Sequence, residues 1–316
     1  MVSQTGAVLV TGANGFVGEA LCEQLRERGY AIKRAVRLAD RADSISIGDI
    51  ASSTDWTSAL QTCRTVVHLA ARVHIMQDTT SDSLAAFREV NTAGTLAFAE
   101  QAAKAGVERF IFLSSVKVNG EATGVGSAFD ASTDVAPKDP YGLSKFEAEL
   151  GLRRISAATG MEIVIIRPPL IYGPGVKANF HAMMRWLYRG IPLPLGGVKA
   201  NRRSLLALDN LTDLLITCLK HPAAGGQTFM ASDGDDLSTT DLLSRMGLAL
   251  GKPARLIVVP PALLAGAARM IGRGDLAQRL LGSLQVDIRH TRETLGWTPP
   301  IGVDEALYRT ARAFLP

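Results

Sequence analysis

The feature that most constrains the fold is the alternation of short apolar segments with longer segments of helical periodicity in the first half of the chain. The apolar segments lie at residues 7–11, 31–36, 66–70, 110–114 and 163–167. Each is rich in apolar and β-branched residues, which is typical of a strand buried on both faces of a parallel sheet. The sequence therefore predicts an α/β fold with a Rossmann-like, doubly wound parallel sheet.

Helical patterns fill the intervals between these strands. They lie at residues 16–28, 83–104 and 140–159, and they are followed by Gly29, Gly106 and Gly160. Glycine commonly ends a helix because it adopts the left-handed conformation, so these positions support the helix boundaries. After about residue 172 the chain has Gly/Pro-rich loops and shorter helices. We expect a dinucleotide-binding domain over residues 1–171 and a smaller C-terminal substrate lobe over residues 172–316.

The composition argues against several classes of protein. Hydrophobic residues make up 47% of the 316 residues and charged residues 20%, which is the balance of a folded globular chain. The formal net charge of +4 is spread along the chain, which suits a small anionic substrate better than a nucleic acid. The three cysteines are far apart and form no CxxC motif. This pattern predicts reduced thiols, a cytoplasmic protein and no metal site.

The longest apolar stretch covers residues 256–271. Pro260 and Pro261 interrupt this stretch, and Arg269 lies within it. It is also shorter than the roughly 20 apolar residues that a transmembrane helix needs. The pattern predicts a strand, a break and then a buried helix, and no membrane span.

A glycine-rich turn follows the first predicted strand. Gly12, Gly15 and Gly18 have the spacing GxxGxxG and lead into the first predicted helix. Glycines at these positions let the backbone approach a pyrophosphate, and the helix N-terminus offers free N–H groups at the positive end of its dipole. A glycine turn without a ligand is the alternative. The position of the motif between a strand and a helix favours a dinucleotide site.

The end of the second strand bears on the choice of dinucleotide. NAD-binding sites of this kind usually place Asp or Glu there, to accept hydrogen bonds from the adenosine ribose. Here the strand ends in Arg34-Ala-Val-Arg37. Arg37 is suited to pair with a 2′-phosphate, so the sequence favours NADPH over NADH or NAD as the cofactor. The alternative is that Arg37 is a solvated loop residue and the enzyme accepts either cofactor. Asp49, which precedes Ile50, either accepts from the adenine amino group or is a plain turn residue.

The candidate catalytic group consists of a tyrosine, a lysine and a serine. Tyr141 and Lys145 are four residues apart in the helical segment 140–159, so they share one helix face. A phenol has a pKa of about 10 and needs a neighbouring cation to act near neutral pH, which Lys145 supplies. Ser115 follows a predicted core strand, at the edge where such sheets present reactive groups. We expect it to hydrogen-bond the substrate oxygen that Tyr141 protonates.

Further motifs accompany these residues. They are Val67-His-Leu-Ala-Ala71, Asn91-Thr-Ala-Gly-Thr95, Ser114-Ser-Val-Lys-Val-Asn-Gly120, Arg167-Pro-Pro-Leu-Ile-Tyr-Gly-Pro174 and Leu295-Gly-Trp-Thr-Pro299. Together with GxxGxxG and YxxxK they make nearly the whole chain resemble the extended short-chain dehydrogenase/reductases, in the NAD(P)-dependent nucleotide-sugar epimerase/dehydratase branch. The resemblance implies two interleaved domains and a homodimer, joined through the helical segments 83–104 and 140–159.

The resemblance also implies roles for the matching residues. Ser115 and Tyr141 would bind and protonate a sugar oxygen, and Lys145 would hold the nicotinamide ribose. The implied cofactor-binding residues are Gly12, Asn14, Gly15, Phe16, Val17, Gly18, Arg37, Asp49, Ile50, Leu69, Ala70, Ala71, Lys145 and Pro168. The implied substrate-binding residues are Ser115, Tyr141, Asn179 with Phe180, and Arg203, with Arg273 or Arg279 as a second phosphate contact.

Two departures from the family pattern bear on the reaction. Leu170 stands where many relatives have Asn, and the acidic residue of most epimerases is missing at positions 36 and 37. The chain more closely resembles bacterial reductases of O-antigen and other polysaccharide pathways, which turn UDP-4-keto-6-deoxy-N-acetylglucosamine into UDP-N-acetylquinovosamine. The sequence thus favours an NADPH-dependent 4-ketoreductase of a UDP-linked sugar. The alternatives are a UDP-hexose or UDP-N-acetylhexosamine 4-epimerase with tightly bound NAD, and a non-catalytic dinucleotide sensor.

Overall fold

The computed structural model describes residues 6–39, 41–73, 82–124, 126–133, 135–270 and 272–315. Its strands are β1 (Ala7–Thr11), β2 (Ile32–Val36), β3 (Ser44–Ser46), β4 (Cys63–His68), β5 (Arg109–Leu113), β6 (Glu162–Arg167), β7 (Leu170–Tyr172), β8 (Leu205–Ala207) and β9 (Thr228–Met230). Its helices are α1 (Phe16–Glu27), α2 (Thr57–Leu60), α3 (Ser83–Phe87), α4 (Thr95–Lys104), α5 (Pro140–Thr159), α6 (Ala178–Tyr188), α7 (Leu208–Lys220), α8 (Thr239–Ala249), α9 (Pro261–Met270), α10 (Gly274–Leu281), α11 (Arg289–Leu295) and α12 (Val303–Phe314).

Seven strands form one parallel sheet in the order β3-β2-β1-β4-β5-β6-β9. The chain runs from β1 outward to β3 and then returns to place β4 on the other side of β1. Such a reversal opens a crevice at the carboxyl ends of the strands, where ligands bind in folds of this type. The predicted doubly wound α/β fold is confirmed.

Helices cover both faces of this sheet. On one face, α1, α7 and α11 pack against apolar side chains of the strands. On the other face, α2, α4 and α5 do so. All five residues of β5 are buried, and the four after Arg109 are apolar without alternation, as expected for a strand covered on both faces.

The C-terminal part of the chain contributes to both the large sheet and a separate lobe. The strand β9 pairs with β6, and α7 packs on the same core as α1. A second core is formed by β7, β8, α6, α8 and α12, and β7 pairs with β8 beside it. The segment after residue 172 therefore contributes to both cores. The division into two domains near residue 172 and their interleaving stay predictions.

The predicted helix over residues 83–104 is interrupted. A π-helical turn, Arg88–Gly94, separates α3 from α4. Within this wider turn, the Asn91 side chain makes two hydrogen bonds with the backbone of Arg72. Its Oδ1 accepts from the Arg72 N–H (2.8 Å), and its Nδ2 donates to the Arg72 carbonyl (3.0 Å). The loop after β4 is thereby tied to the helix, and π-turns of this kind are frequent at functional sites. The periodicity of the segment gave no sign of it.

A buried ion pair joins α5 to the ends of β5 and β6. The Glu149 carboxylate accepts hydrogen bonds from the Arg167 guanidinium (2.6 and 3.0 Å) and from the Ser114 hydroxyl (2.6 Å). Glu149 and Arg167 are at most 2% exposed. A third donor, Arg153, reaches the same carboxylate (3.1 Å) from the half-exposed face of α5. A buried charge needs such a set of partners, because it has lost its hydration.

We predict that Glu149→Gln destabilises the protein by about 3–5 kcal/mol, because it leaves the buried Arg167 guanidinium without a counter-charge. Urea unfolding at neutral pH measures this difference. Arg153→Gln is the matched control, since it removes a more exposed partner of the same carboxylate and should cost under about 1 kcal/mol. Equal stabilities of Glu149→Gln and the control would contradict the prediction.

Candidate active site

The glycine turn after β1 brings the backbone of the turn against the start of α1. Gly12 has a positive φ (+64°), and the Gly15 N–H donates to its carbonyl (2.9 Å). A Cβ on Gly18 would lie 2.7 Å from the Ala13 Cα, so the helix approaches the turn only because residue 18 has no side chain. Asn14 and Gly15 are exposed at the mouth of this turn. The free N–H groups of α1 and its dipole favour an anion there.

The segment after β4 lies against the same turn. The backbone N–H groups of Leu69 and Ala70 both donate to the Thr11 hydroxyl (3.2 Å each). A Cβ on Gly12 would lie 3.0 Å from the Ala70 Cα, so this approach also needs a glycine. Ala71, Phe16 and Val17 are half-buried beside it. The structure therefore brings together the two segments that the resemblance implies in cofactor binding.

His68 supports this arrangement from below. Its Nδ1 lies 2.7 Å from the Thr11 hydroxyl oxygen and its Nε2 lies 3.0 Å from that of Thr95. Burial and, to a smaller extent, the positive charge of Lys145 lower the pKa of His68 to about 3. The imidazole is consequently neutral at physiological pH, with both ring nitrogens engaged in the scaffold.

The carboxyl end of β2 carries an exposed ion pair. The Arg37 Nε lies 2.8 Å from the Asp49 Oδ1, and the two side chains are 76% and 84% exposed. Ile50, the next residue, is half-buried. The last residue of β2 is Val36, which is buried, so this strand ends without a carboxylate. An ion pair that is exposed in this way contributes little to stability.

Ser115 and Tyr141 meet at the carboxyl edge of the sheet. Ser115 lies two residues beyond β5, and its Oγ accepts from the Lys117 N–H (3.2 Å). Tyr141 lies in the first turn of α5, which Asp139 caps by accepting from the Gly142 N–H (2.6 Å). Burial raises the pKa of Tyr141 to about 12 with help from the Asp139 charge, while its hydrogen bond to Ser115 acts in the opposite direction.

Lys145 lies one turn further along α5 and is 2% exposed. Its Nζ donates to the Leu113 carbonyl (2.9 Å) and lies 4.4 Å from the centre of the Phe112 ring. Burial lowers the pKa of Lys145 to about 7, although the Glu149 carboxylate opposes this shift. Pro168 is buried next to this edge, and its carbonyl accepts from the Val116 N–H (3.0 Å).

This arrangement is suited to proton transfer at an oxygen atom. Tyr141 is neutral at physiological pH, so it is able to donate a proton, and Ser115 is placed to hold the same oxygen. Extra positive charge beside the phenol lowers its pKa and makes the reverse transfer easier. Lys145 lies one turn further along the same face of α5 and carries such a charge when it is protonated.

Besides Ser115 and Tyr141, the residues that the resemblance implies in substrate binding lie in the C-terminal lobe. Asn179 is exposed in the first turn of α6. The Phe180 ring is 2% exposed and stacks on Tyr172, so it belongs to the core of the lobe and is closed to a ligand. The Arg203 Nη1 donates to the Gly282 carbonyl (3.2 Å). Burial lowers the pKa of Arg203, and the positive charge of Arg279 lowers it further.

Sequence reasoning overlooked the residues that hold this site in place. Asn91 donates to the Ser144 hydroxyl (3.1 Å), which in turn donates to the Tyr141 carbonyl (2.8 Å). Glu149 lies four residues after Lys145, on the same face of α5, and that spacing was the available signal. No pattern in the sequence indicated the partners of Asn91, or Ser114 and Arg167 as partners of Glu149, because these residues lie on other elements.

Comparison with known proteins gives the family of the chain. A family model described as the NAD dependent epimerase/dehydratase family matches residues 8–231. The chain belongs to this family. It is therefore an NAD(P)-dependent enzyme, and the predicted branch of the short-chain dehydrogenase/reductases is confirmed at that level.

Several relatives are similar over nearly the whole chain. A UDP-glucose 4-epimerase of Vibrio cholerae is 48% identical, over 98% of this chain and 95% of that protein. An N-acetyl-α-D-glucosaminyl-diphospho-ditrans,octacis-undecaprenol 4-epimerase of Escherichia coli O157:H7 is 30% identical, over 82% of this chain and 77% of that protein. The solved structure of a UDP-glucuronic acid 4-epimerase from Bacillus cereus in complex with NAD has a TM-score of 0.79, at 20% identity and with 98% of each chain covered, which shows the fold.

We predict that Lys145 makes the stability of the protein depend on pH. Its pKa of about 7 in the folded state is below that of an unfolded lysine, so the unfolded state binds more protons between pH 7 and about 10. Lys145 therefore contributes a rise in the free energy of unfolding with pH over that interval. In Lys145→Met this contribution is gone, and the rise should be smaller.

Urea unfolding of the nucleotide-free protein at several pH values between 6 and 10 measures the rise. Lys104→Met, which changes an exposed lysine at the end of α4, should leave the rise unchanged. The slope is compared instead of the absolute stability, because Met also leaves the Leu113 carbonyl without its donor. A slope that is equal in all three proteins would show that Lys145 keeps an ordinary pKa.

Proposed function

We propose that this enzyme is a 4-epimerase of a UDP-linked hexose or N-acetylhexosamine that retains its dinucleotide between turnovers. The observation that carries the proposal is the group formed by Ser115, Tyr141 and Lys145 at the carboxyl edge of the sheet, in a chain 48% identical to a UDP-glucose 4-epimerase. The sequence favoured the 4-ketoreductase. We place the epimerase first because of that relative.

The chain offers a fitting cradle for a dinucleotide. Gly12 and Gly18 let the turn pack closely against the segment after β4 and against the start of α1, because a Cβ at either position would collide with Ala70 or Ala13. The first turn of α1, which has no side-chain cap, offers backbone N–H groups at the mouth of this turn. When bound, NAD supplies the hydride acceptor for oxidation of the sugar and the hydride donor for its reduction. We assign dinucleotide binding to the turn, to the Leu69–Ala71 segment, to Lys145 and to the backbone beside Pro168.

Tyr141 performs the proton transfers in this proposal. As a phenolate it takes the proton from the sugar O4 while C4 is oxidised. It returns the proton to the same oxygen after the sugar has turned its other face. Ser115 holds that oxygen throughout. The pKa of Tyr141 is raised by burial, and positive charge from Lys145 and an oxidised nicotinamide lowers it toward the working range.

Arg203 is the candidate contact for the diphosphate of the substrate. It is largely withdrawn from water, and it lies within electrostatic reach of Arg279. Two guanidinium groups that repel one another are stabilised by an anion, and a diphosphate matches their donor geometry. Asn179 is exposed at the start of α6 and is assigned to the same nucleotide. A homodimer stays part of the proposal.

One observation favours a second function, the NADPH-dependent 4-ketoreductase. The strand β2 ends in Val36 and Arg37, and it offers no carboxylate to the adenosine ribose of NAD. The exposed Arg37 is held by Asp49, which a 2′-phosphate is able to displace. This arrangement supports NADPH and a cofactor that is consumed and replaced, as in the reduction of a UDP-4-keto-6-deoxy sugar.

The first experiment identifies the nucleotide and the product. The protein is purified and denatured, and any released nucleotide is identified by chromatography. Fresh enzyme is then incubated with UDP-glucose or UDP-N-acetylglucosamine without added cofactor. Stoichiometric NAD and formation of the 4-epimer are expected. An empty site, no epimer, and oxidation of NADPH by a UDP-4-keto-6-deoxy sugar would establish the reductase instead.

We predict that Tyr141→Phe lowers turnover by a factor of about 100 or more, because it removes the acid that Ser115 hydrogen-bonds. The amount of bound dinucleotide should stay near that of the parent protein. Tyr308→Phe changes an exposed tyrosine on α12 and is the control. Near-normal turnover in Tyr141→Phe would remove Tyr141 from the proton transfer.

The cofactor preference has its own test. If Arg37 pairs with a 2′-phosphate, Arg37→Asp should weaken NADPH binding about tenfold or more and leave NADH binding unchanged or stronger. Fluorescence titration with each dinucleotide measures both affinities. Arg64→Asp is the control. It alters a similarly exposed, ion-paired arginine at the amino end of β4, away from the carboxyl ends of the strands. An unchanged affinity of Arg37→Asp for NADPH would show that Arg37 does not determine the preference between NADPH and NADH.

A further inference from the structure

The helix α9 differs from its prediction. The sequence predicts a strand and then a buried helix over residues 256–271. The structure has only an isolated bridge between Leu256 and Leu193, followed by α9, in which none of the residues is buried. The sequence of this helix is Pro-Ala-Leu-Leu-Ala-Gly-Ala-Ala-Arg-Met, with a single charged side chain. An apolar helix is normally covered on all sides, so its exposure calls for a partner.

The outward face of α9 is apolar. Leu264, Ala265 and Ala268 are half-buried and face the protein. Leu263 is 64% exposed and Met270 is 85% exposed, and with Ala267 they follow the spacing i, i+4, i+7 that defines one face of a helix. This spacing places a continuous apolar stripe on the solvent side.

The apolar surface continues into the preceding segment. Ile257 is 53% exposed and Val258 is 72% exposed. Four large exposed hydrophobic residues thus lie close together in the sequence. They are Ile257, Val258, Leu263 and Met270, and we call these four residues the apolar ridge. A concentration of this kind is typical of a surface that binds a partner or a membrane.

The charges around the apolar ridge are positive. The sequence has no Asp or Glu from residue 242 to residue 274. Lys252, Arg255, Arg269 and Arg273 lie in that interval and are exposed. An apolar stripe flanked by cations matches a bilayer with anionic head groups, in which the stripe enters the acyl region and the cations meet phosphates.

We propose that the apolar ridge docks the enzyme onto an anionic bilayer surface. The mode is interfacial: among the residues that the structure describes, no helix is long and apolar enough to cross a membrane. Docking also places the substrate lobe at the lipid. The helix α9 packs against α10. Gly282 follows α10 directly, and its carbonyl accepts hydrogen bonds from Arg203 and Asn201 (3.2 Å each).

Vesicle sedimentation with the full chain tests this proposal. Vesicles of phosphatidylcholine with 40 mol% phosphatidylglycerol should carry the protein into the pellet, and phosphatidylcholine alone should not. The double variant Leu263→Asp, Met270→Asp should stay in the supernatant. Arg269→Gln and Arg273→Gln should each weaken binding about fivefold, in proportion to the charge removed. Raised salt should weaken it as well.

The control places the same two charges elsewhere. Leu38 and Tyr308 are exposed apolar residues outside the apolar ridge, and Leu38→Asp, Tyr308→Asp should sediment like the parent. Circular dichroism confirms that each variant is folded. The proposal is overturned if the parent does not bind anionic vesicles or if the control loses binding equally. Analytical ultracentrifugation identifies the alternative occupant, a second copy of the chain. If the parent self-associates without binding vesicles, and the Leu263→Asp, Met270→Asp variant does not self-associate, a second copy covers the apolar ridge and the proposal is overturned.

Discussion

The buried ion pair between Glu149 and Arg167 is the contact on which the geometry of the site depends. A carboxylate without exposed surface is tolerated only with several donors, and here they come from the ends of two strands and from α5 itself. The pair therefore fixes α5 relative to β5 and β6. Lys145 lies one turn before Glu149, and Ser115 follows Ser114. The candidate catalytic residues derive their positions from an interaction that touches no substrate.

Burial sets the proton chemistry in the same region. It raises the pKa of Tyr141 to about 12 and lowers that of Lys145 to about 7. The charged form of each group is disfavoured for the same reason, which is the loss of hydration. Glu149 partly offsets this for Lys145. The carboxylate that anchors the helix thus also helps to keep the lysine charged, and a charged lysine is what the phenol needs.

The α9 region shows how an apolar sequence can be misread. A run of hydrophobic residues indicates that these side chains are stabilised by leaving water, but it does not indicate which surface covers them. In a folded domain the covering surface is usually the protein core, and the sequence pattern of this segment predicts a buried helix for that reason. In the structure α9 begins at the second of the two prolines, none of its residues is buried, and it packs against α10, which carries Arg279. The same composition then describes a docking surface instead of a core helix.

The sequence by itself determined the α/β fold, most of the strand positions and the bounds of α5, because these depend on local periodicity and on glycine punctuation. It also determined the glycine turn and the pairing of Tyr141 with Lys145, since a four-residue spacing places two side chains on one helix face. Only the tertiary structure decided the π-turn at Asn91, the partners of Glu149, the enclosure of Phe180 and the exposure of α9. Each of these depends on which distant element lies opposite, and hydrophobic periodicity carries no information about that.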